Sequence, residues 1–461
     1  MPTYFESFDA RELLHDYPLG DAFLALAQTI SADELHARQE VQFLRCVARA
    51  WQIPFYQRLW GSKGIEPVDI AALADISKLP TFGKSELMES IALAPPFGDY
   101  SGRETHSGPV VFHTTSGTTG TPQPLFFGAK GREVQNLLLA RSYLLQGLRR
   151  EDVVHSVYGH GPINGGHYVR EAVLHFTEAL FLSAGTGVET RSVRQVELMR
   201  DFGVTVVVGF ADYIKKLAEV ARENGIIPGR DIRIRMISGH LGRESKVAMS
   251  EAWGGCELYD WYGVGDTGTI ASEAADQDGL YIHEDAQLVE VLDVDSGLPK
   301  PDGEAGDLVV TCLYKDDVHP IIRFNTHDVT EIKTGNSSLG LRFRRMAGFL
   351  GRSDNMVKLR GINIFPQALG PIMDTRADFA GEFLCVVTRD LSLRDEMCVL
   401  IETRASVSER PGLTETYRHL LKERLGVSVA VELKSQGELS PLTGIESRQK
   451  PIRLIDQRFK S

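Results

Sequence analysis

A chain of 461 residues is too long for one ordinary hydrophobic core and calls for two or three packing units. Its 43% hydrophobic and 24% charged residues exclude a disordered or membrane-embedded class. A formal charge of -12 argues against nucleic acid as a partner, because neutralising phosphates needs a net basic face; a local basic patch for a nucleotide or coenzyme stays open.

Cys46, Cys256, Cys312, Cys385 and Cys398 are scattered, odd in number and never spaced as C-x-x-C, which suits a reducing compartment. The N-terminal MPTYFESFDARELLHD is acidic and lacks a basic stretch followed by an apolar one. No run approaches the ~18 apolar residues of a membrane span. Neither signal peptide nor membrane contact is expected, and the expected location is cytoplasmic.

In chain order, residues up to about Gly102 show helical periodicity broken by short loops, as in SADELHARQEVQFLRCVARAW. From about Val110, the buried-strand runs VVFHTT, DVVHSVY, VTVVVGF and RIRMISG alternate with helical patterns such as 193–202 and 212–224. That alternation predicts a mostly parallel sheet with helices on both faces. After Gly279 the pattern turns to hairpins: LYIHEDAQLVEVLD, a turn at 296–301, GDLVVTCLY and PIIRFNTHDVTEI. The last stretch reads α-β-β-α-β, from PQALGPIMDT through EFLCVVTR, EMCVLIETR and a helix over 413–425 to VSVAVELK. The expectation is a large α/β body (1–350) with a β-rich subdomain, a polar hinge GRSDN (351–355), and a small mobile α+β domain (356–461).

The sharpest motif is HTTSGTTGTP at 113–122, where five threonines, one serine and two glycines follow the strand VVFH. Glycines let backbone N–H groups approach an anion and the hydroxyls add donors, so this turn is built to hold phosphate oxygens. It is not a Walker A loop. Gly83, Lys84 and Ser85 carry that motif's end, but Lys78 stands where its first glycine belongs.

YGVGDTG at 262–268 formally matches G-x-G-x-x-G, but the next strand near Leu280 leaves no room for a crossover helix, which excludes dinucleotide binding. Tyr262 instead offers a flat face for a base, and Asp266 a carboxylate for a metal–phosphate group. RFNTHD at 323–328 places Asp328 where it could accept from ribose hydroxyls. GRSDNMVKLRGINIFP covers 351–366, and Lys450 lies in IESRQKPIRLID. Each of these alone reads as ordinary surface chemistry.

Taken in order, SGTTG, YG-x-x-D, R-x-x-x-x-D, GR-x-D-x-x-K-x-RG and a terminal lysine resemble the adenylate-forming superfamily. IPFYQRLW (53–60), LPTFGKSEL (79–87), YIHEDAQLVEVLD, HPIIRFNTHD and PIRLID make the chain similar to its phenylacetate–CoA ligase branch along nearly the whole length. The resemblance implies ATP, Mg2+ and coenzyme A as cofactors. Thr115, Ser116, Gly117, Thr118 and Thr119 would form the phosphate loop. Gly239 would lie along the adenine and Tyr262 would stack on it. Asp266 would replace the magnesium-associated glutamate, and Asp328 and Arg352 would bind the ribose. Asp354 would be the hinge, Lys450 would bridge carboxylate and α-phosphate, and Lys358, Arg360 and Gly361 would face the coenzyme A side. A homodimer is expected on the same ground.

The departures are specific. Thr121 replaces a usual lysine, Asp266 is one methylene shorter than the usual glutamate, and Gly265 lacks the usual hydroxyl. The turn GNSSLG at 335–340 has no thiolate, so no structural zinc is expected.

The segment SVYGHGPINGGHY at 156–168 matches the acyl-pocket region of this branch. Tyr158, His160 and Asn164, with Phe210 and Tyr213, are the candidate pocket residues. Their polar groups either satisfy a polar substituent or merely hold the loop. His155, His160 and His167 lack metal-ligand spacing. The substrate expectation is a small aryl acid or a short hydroxylated acid, not a long fatty acid. Three functions stay open: an AMP-forming acyl-CoA ligase, an adenylating enzyme with an amine or carrier-protein thiol as acceptor, and a nucleotide-binding protein that acts by interaction without catalysis.

Overall fold

Runs of β-branched residues build the centre of the larger unit. The computed structural model describes residues 2–115, 122–241, 246–353, 357–359, 362–364, 366–389, 395–445 and 451–458. Two compact units divide the chain, a larger one from Met1–Leu241 with Lys246–Gly348 and a smaller one that includes Phe349–Ser461.

In the larger unit the strands are β1 (Val110–Thr114), β2 (Pro124–Gly128), β3 (Val153–Ser156), β4 (Leu180–Ser183), β5 (Val206–Phe210), β6 (Met236–His240), β7 (Glu257–Val264), β8 (Gly268–Ser272), β9 (Leu280–Ile282), β10 (Gln287–Leu292), β11 (Gly306–Cys312), β12 (Phe324–Thr330) and β13 (Arg345–Met346). Eight of them form one sheet in the order β13-β9-β8-β7-β6-β5-β3-β4. Pairing is parallel from β4 through β7 and antiparallel from β7 to β13.

The parallel core is buried on both sides. Val207, Ile237 and Leu258 point into a layer with the helices Ser192–Asp201 and Ala211–Glu223. Their neighbours Val206, Val208, Met236 and Tyr259 point into the opposite layer with the helices Ala129–Leu145 and Asn164–Phe176. A period-2 alternation with apolar contacts on both faces produces the continuous hydrophobic runs VVVGF and MISG.

The expected β-rich part divides in two. β8, β9 and β13 extend the main sheet, while β10, β11 and β12 form a separate antiparallel ladder. The helix Ala32–Ala50 opens on a capping box: Ser31 Oγ accepts from Glu34 N–H (3.2 Å) and Glu34 accepts from Ser31 N–H (2.8 Å).

The smaller unit has the expected α-β-β-α-β order. Phe379–Arg389 pairs antiparallel with Asp395–Thr403, and Ala430–Ser435 pairs parallel with the latter. A further strand, Leu454–Asp456, pairs parallel with Phe379–Arg389 and was not expected. Its own core gathers Phe383, Val399, Ile401, Tyr417 and Leu421. No helix among the described residues is long and apolar enough to cross a membrane.

Candidate active site

The phosphate-loop motif lies between two strands of a hairpin, β1 and β2, rather than between a strand and a helix. Thr115 and Gln123 close its neck: Thr115 N–H donates to Gln123 O (3.0 Å), and Gln123 N–H donates to Thr115 Oγ1 (3.0 Å). Ser116, Gly117, Thr118, Thr119 and Thr121 lie outside the described residues.

From the neck, Gln123 Nε2 reaches across the fold and donates to Asp266 Oδ1 at 2.6 Å, joining two motifs 143 residues apart. Asp266 sits in the turn between β7 and β8, where Thr267 N–H donates to Val264 O (3.1 Å). An added Cβ at Gly263 would stand 2.2 Å from Gly268 O, so that glycine serves close strand pairing. A tight antiparallel hairpin is incompatible with a dinucleotide crossover.

Beneath this turn lies Lys315, which was not singled out in the sequence. Its ammonium donates to the Asp266 carbonyl oxygen (3.0 Å) and stands 4.5 Å from the Phe127 ring centre. Burial pushes the Asp266 carboxyl above its ordinary range, against the pull of Lys315 and the Gln123 hydrogen bond. Burial also holds the Lys315 ammonium below its ordinary range. Desolvation outweighs attraction on both partners, as expected of charges kept from water. Lys84, from the rejected Walker-like segment, is close enough for its charge to lower Asp266. Asp266 offers a buried carboxylate oxygen to a hydrated magnesium, against the repulsion of the neighbouring Lys315 and Lys84. Among the described residues no group of three or more His, Cys, Asp or Glu is arranged to hold a metal ion, so the remaining ligands there would be phosphate and water oxygens.

Two predicted nucleotide residues meet directly. Tyr262 Oη donates to Asp328 Oδ2 at 2.6 Å, with both side chains buried. Asp328 N–H donates to Thr326 Oγ1 (3.1 Å), which donates to Leu308 O (2.9 Å). Arg323, at the start of the motif, and His327, between Thr326 and Asp328, both take a left-handed backbone with φ of 56°. Gly239 pairs with Gly209 on one side and Asp260 on the other, and an added Cβ would stand 1.8 Å from Gly209 O. Its glycine is required by the approach of β5. Arg352 lies on the short strand Gly351–Arg352 of the smaller unit.

The pocket candidates separate into two sets. Tyr158 and Phe210 face one another, ring centres 5.0 Å apart, together with His240 and Trp261, which the sequence reading missed. The others are engaged elsewhere. Asn164 Oδ1 accepts from buried Arg132, and its amide donates to Gln135 Oε1 (3.3 Å). His160 Nε2 bonds Ser183 Oγ (2.6 Å), and the Tyr213 hydroxyl bonds Ser192 Oγ (3.0 Å) and Gln195 Nε2 (3.1 Å).

The family described as the AMP-binding enzyme C-terminal domain matches residues 361–458. Phenylacetate–coenzyme A ligase of Aromatoleum evansii is 29% identical over 444 residues, covering 93% of this chain and 96% of that protein. The enzyme of that name from Thermus thermophilus is 27% identical, covering 94% and 98%. Among solved structures, 2-hydroxyisobutyryl-CoA ligase in the postadenylation state with 2-HIB-AMP superposes with a TM-score of 0.81 at 25% identity, covering 94% of this chain and 92% of that one. The same ligase with 2-HIB-AMP and CoA in the thioesterification state gives 0.67 at 26% identity, over 94% and 92%. These likenesses support the adenylate-forming superfamily, and within it a phenylacetate–CoA ligase-like branch.

Not every residue expected of that superfamily can be placed. Asp354, Arg360, Gly361 and Lys450 lie outside the described residues, and Lys358 belongs to the strand Val357–Leu359. The turn at 335–340 is tied by hydroxyls: Ser337 Oγ bonds the Tyr281 hydroxyl (2.5 Å), and Ser338 Oγ donates to Asp276 (3.0 Å). Gln123 and Lys315 escaped sequence reasoning because no local pattern marks them, and Lys84 was noted only in a Walker-like segment that fails as a phosphate loop. Each is an ordinary polar residue until the fold brings it to Asp266.

Proposed function

We propose that this adenylate-forming enzyme is an AMP-forming acyl-CoA ligase acting on a small carboxylic acid. The observation that carries the reading is the junction of the phosphate-loop neck with the buried Asp266 through Gln123. The neck of the phosphate-loop motif, the buried acid and the Tyr262–Asp328 pair all belong to the larger unit, which supports this reading. Open α/β sheets take ligands at the C-terminal ends of their strands, where β6 and β7 carry Gly239 and Tyr262.

In the proposed reaction a carboxylate oxygen attacks the α-phosphorus of ATP and pyrophosphate leaves, forming the acyl-adenylate. The CoA thiol sulfur then attacks the acyl carbon, AMP leaves, and the thiol proton goes to solvent. Two anions meet in the first step, so the site must supply positive charge and donors. Asp266 would hold Mg2+, whose charge offsets that of the phosphates. Thr115, Ser116, Gly117, Thr118 and Thr119 would donate to the phosphate oxygens, with Lys84 compensating for the lysine missing at position 121. Tyr262 and Gly239 would flank the adenine, and Asp328 and Arg352 would accept and orient the ribose. Lys450 would bridge the reacting anions, and Asp354 would be the pivot that exchanges it for Lys358, Arg360 and Gly361. A homodimer in the cytoplasm is the assembly and location that suit this reading.

The deciding experiment offers purified protein a panel of small acids and follows pyrophosphate release, with CoA, an amine or a carrier-protein thiol as acceptor. Acid-dependent release with thioester formation on CoA is expected. Release without transfer to CoA moves the function to another acceptor, and no release with any acid overturns the catalytic reading.

A further inference from the structure

Four rings converge at the C-terminal edge of the parallel sheet, beside Gly239 and Tyr262. Tyr158 lies just beyond β3, Phe210 ends β5, His240 ends β6, and Trp261 lies in β7. Phe210 stacks on His240 (ring centres 5.2 Å, planes 25° apart), and the His240 ring centre stands 4.1 Å from that of Trp261. Tyr158 and Trp261 are 3% and 1% exposed and form the rear, while Phe210 and His240 are half-buried and form the open side. Within the group, Tyr158 Oη and His240 Nδ1 are hydrogen-bonded at 2.8 Å, and the His240 backbone also bonds the Tyr158 hydroxyl.

Building on the ligase reading above, we propose that the Tyr158–His240 pair sets acyl specificity by selecting a short acid that carries a hydroxyl group. With the imidazole proton on Nε2, the phenol O–H donates to Nδ1, and the phenol oxygen keeps one lone pair beside the bond it takes from the His240 backbone. A hydroxyl on the acid donates to that oxygen. An acid without a donor covers the oxygen and takes it from water with nothing in return. A site built around such a bond rejects the deoxy analogue, whereas a purely apolar wall discriminates weakly. The imidazole between Phe210 and Trp261 also fills space that an aryl ring would need. Of the two substrate classes the sequence allows, this favours the hydroxylated one.

The test compares pyrophosphate release by the full chain with 2- and 3-hydroxybutyrate, butyrate and benzoate. The wild type is expected to favour one hydroxy acid over butyrate by on the order of ten-thousandfold in kcat/KM. Tyr158→Phe should bring that ratio close to one through loss on the hydroxy acid. His240→Ala should lower the same ratio and raise the rate with benzoate relative to butyrate. Variants are compared after circular dichroism shows a wild-type fold, and two substitutions are used so that one misfolded variant does not end the test. Release with an unchanged ratio in both variants, or no hydroxyl preference in the wild type, overturns the inference and leaves the ligase reading intact. No release with any acid overturns both.

Discussion

Tyr262 and Asp328 are held to each other by one short hydrogen bond inside the protein. Tyr262→Phe keeps the ring and removes the donor, leaving a buried carboxylate short of one partner, which costs about 1–3 kcal/mol. If Asp328 orients the ribose, the loss falls mainly on nucleotide binding. The KM for ATP should rise roughly tenfold, with a smaller change in kcat at saturating ATP, the pattern left by a lost uniform binding contact. Steady-state kinetics with ATP varied would check it, and an unchanged KM would remove Asp328 from the nucleotide site. Asp266 makes a different prediction. Its carboxyl is raised by burial, so the folded chain holds that proton more tightly than the unfolded chain does. Burial is therefore free of cost below the ordinary aspartate range and reduces stability as pH climbs through the raised value. Asp266→Asn should thus melt higher than the wild type at neutral pH, with the gain fading towards about pH 3.5. Pyrophosphate release should fall by about a hundredfold to a thousandfold, as when one group that stabilises developing charge is removed. Melting curves across pH, beside an activity assay, separate the two effects.

At the scale of elements, the helix Ala129–Leu145 shows why some of the fold was hidden in the sequence. Nearly all of it is buried although it carries Arg132, Glu133, Gln135, Asn136, Arg141 and Ser142, so no amphipathic stripe marks its inner face. Those polar groups find partners from distant segments. Arg141 makes a bidentate pair with Asp285 (2.8 and 3.0 Å), both side chains 0% exposed, and stands over the Phe23 ring. The strands β5 and β6 were legible because burial on both faces writes an unbroken apolar run. β2 was not, since PLFFG is short, begins with proline and follows the glycine-rich turn whose chemistry drew attention away from it. The strand Leu454–Asp456 was hidden for a similar reason: three residues make a strand only when Cys385, Val386 and Val387 are already there to pair with. In the candidate site, motifs marked Asp266, Tyr262 and Asp328, whereas Gln123, Lys315, His240 and Trp261 gain meaning from contacts that no spacing rule encodes. The Arg141–Asp285 pair carries the prediction for this level. Asp285→Asn leaves a buried guanidinium without its counter-charge and should destabilise the larger unit by about 3–5 kcal/mol. Replacing both residues with apolar ones of similar volume should recover most of that loss. Urea denaturation of the single and double variants would measure it, and a single variant as stable as the wild type would mean the pair is not closed in solution.

For the whole molecule, the division of labour between the units is the central matter. Asp266, Tyr262 and Asp328 belong to the larger unit, and position 450 falls in the sequence of the smaller one. The chemistry gives such a division a use. Adenylation needs a cation between two anions, while thioester formation needs that place vacated for a neutral thiol and its carrier. The proposed exchange would turn the smaller unit about residues 351–355 while its own core, with Phe383, Val399, Ile401 and Tyr417, stays together. On this scheme Lys450→Ala should lower acid-dependent pyrophosphate release by at least about a hundredfold. Conversion of added acyl-adenylate to acyl-CoA should remain within a few-fold of the wild type. The two half-reactions can be assayed separately on the same preparation. Equal losses in both would mean that Lys450 supports a single arrangement used throughout, and the proposed exchange of faces about Asp354 would have to be abandoned.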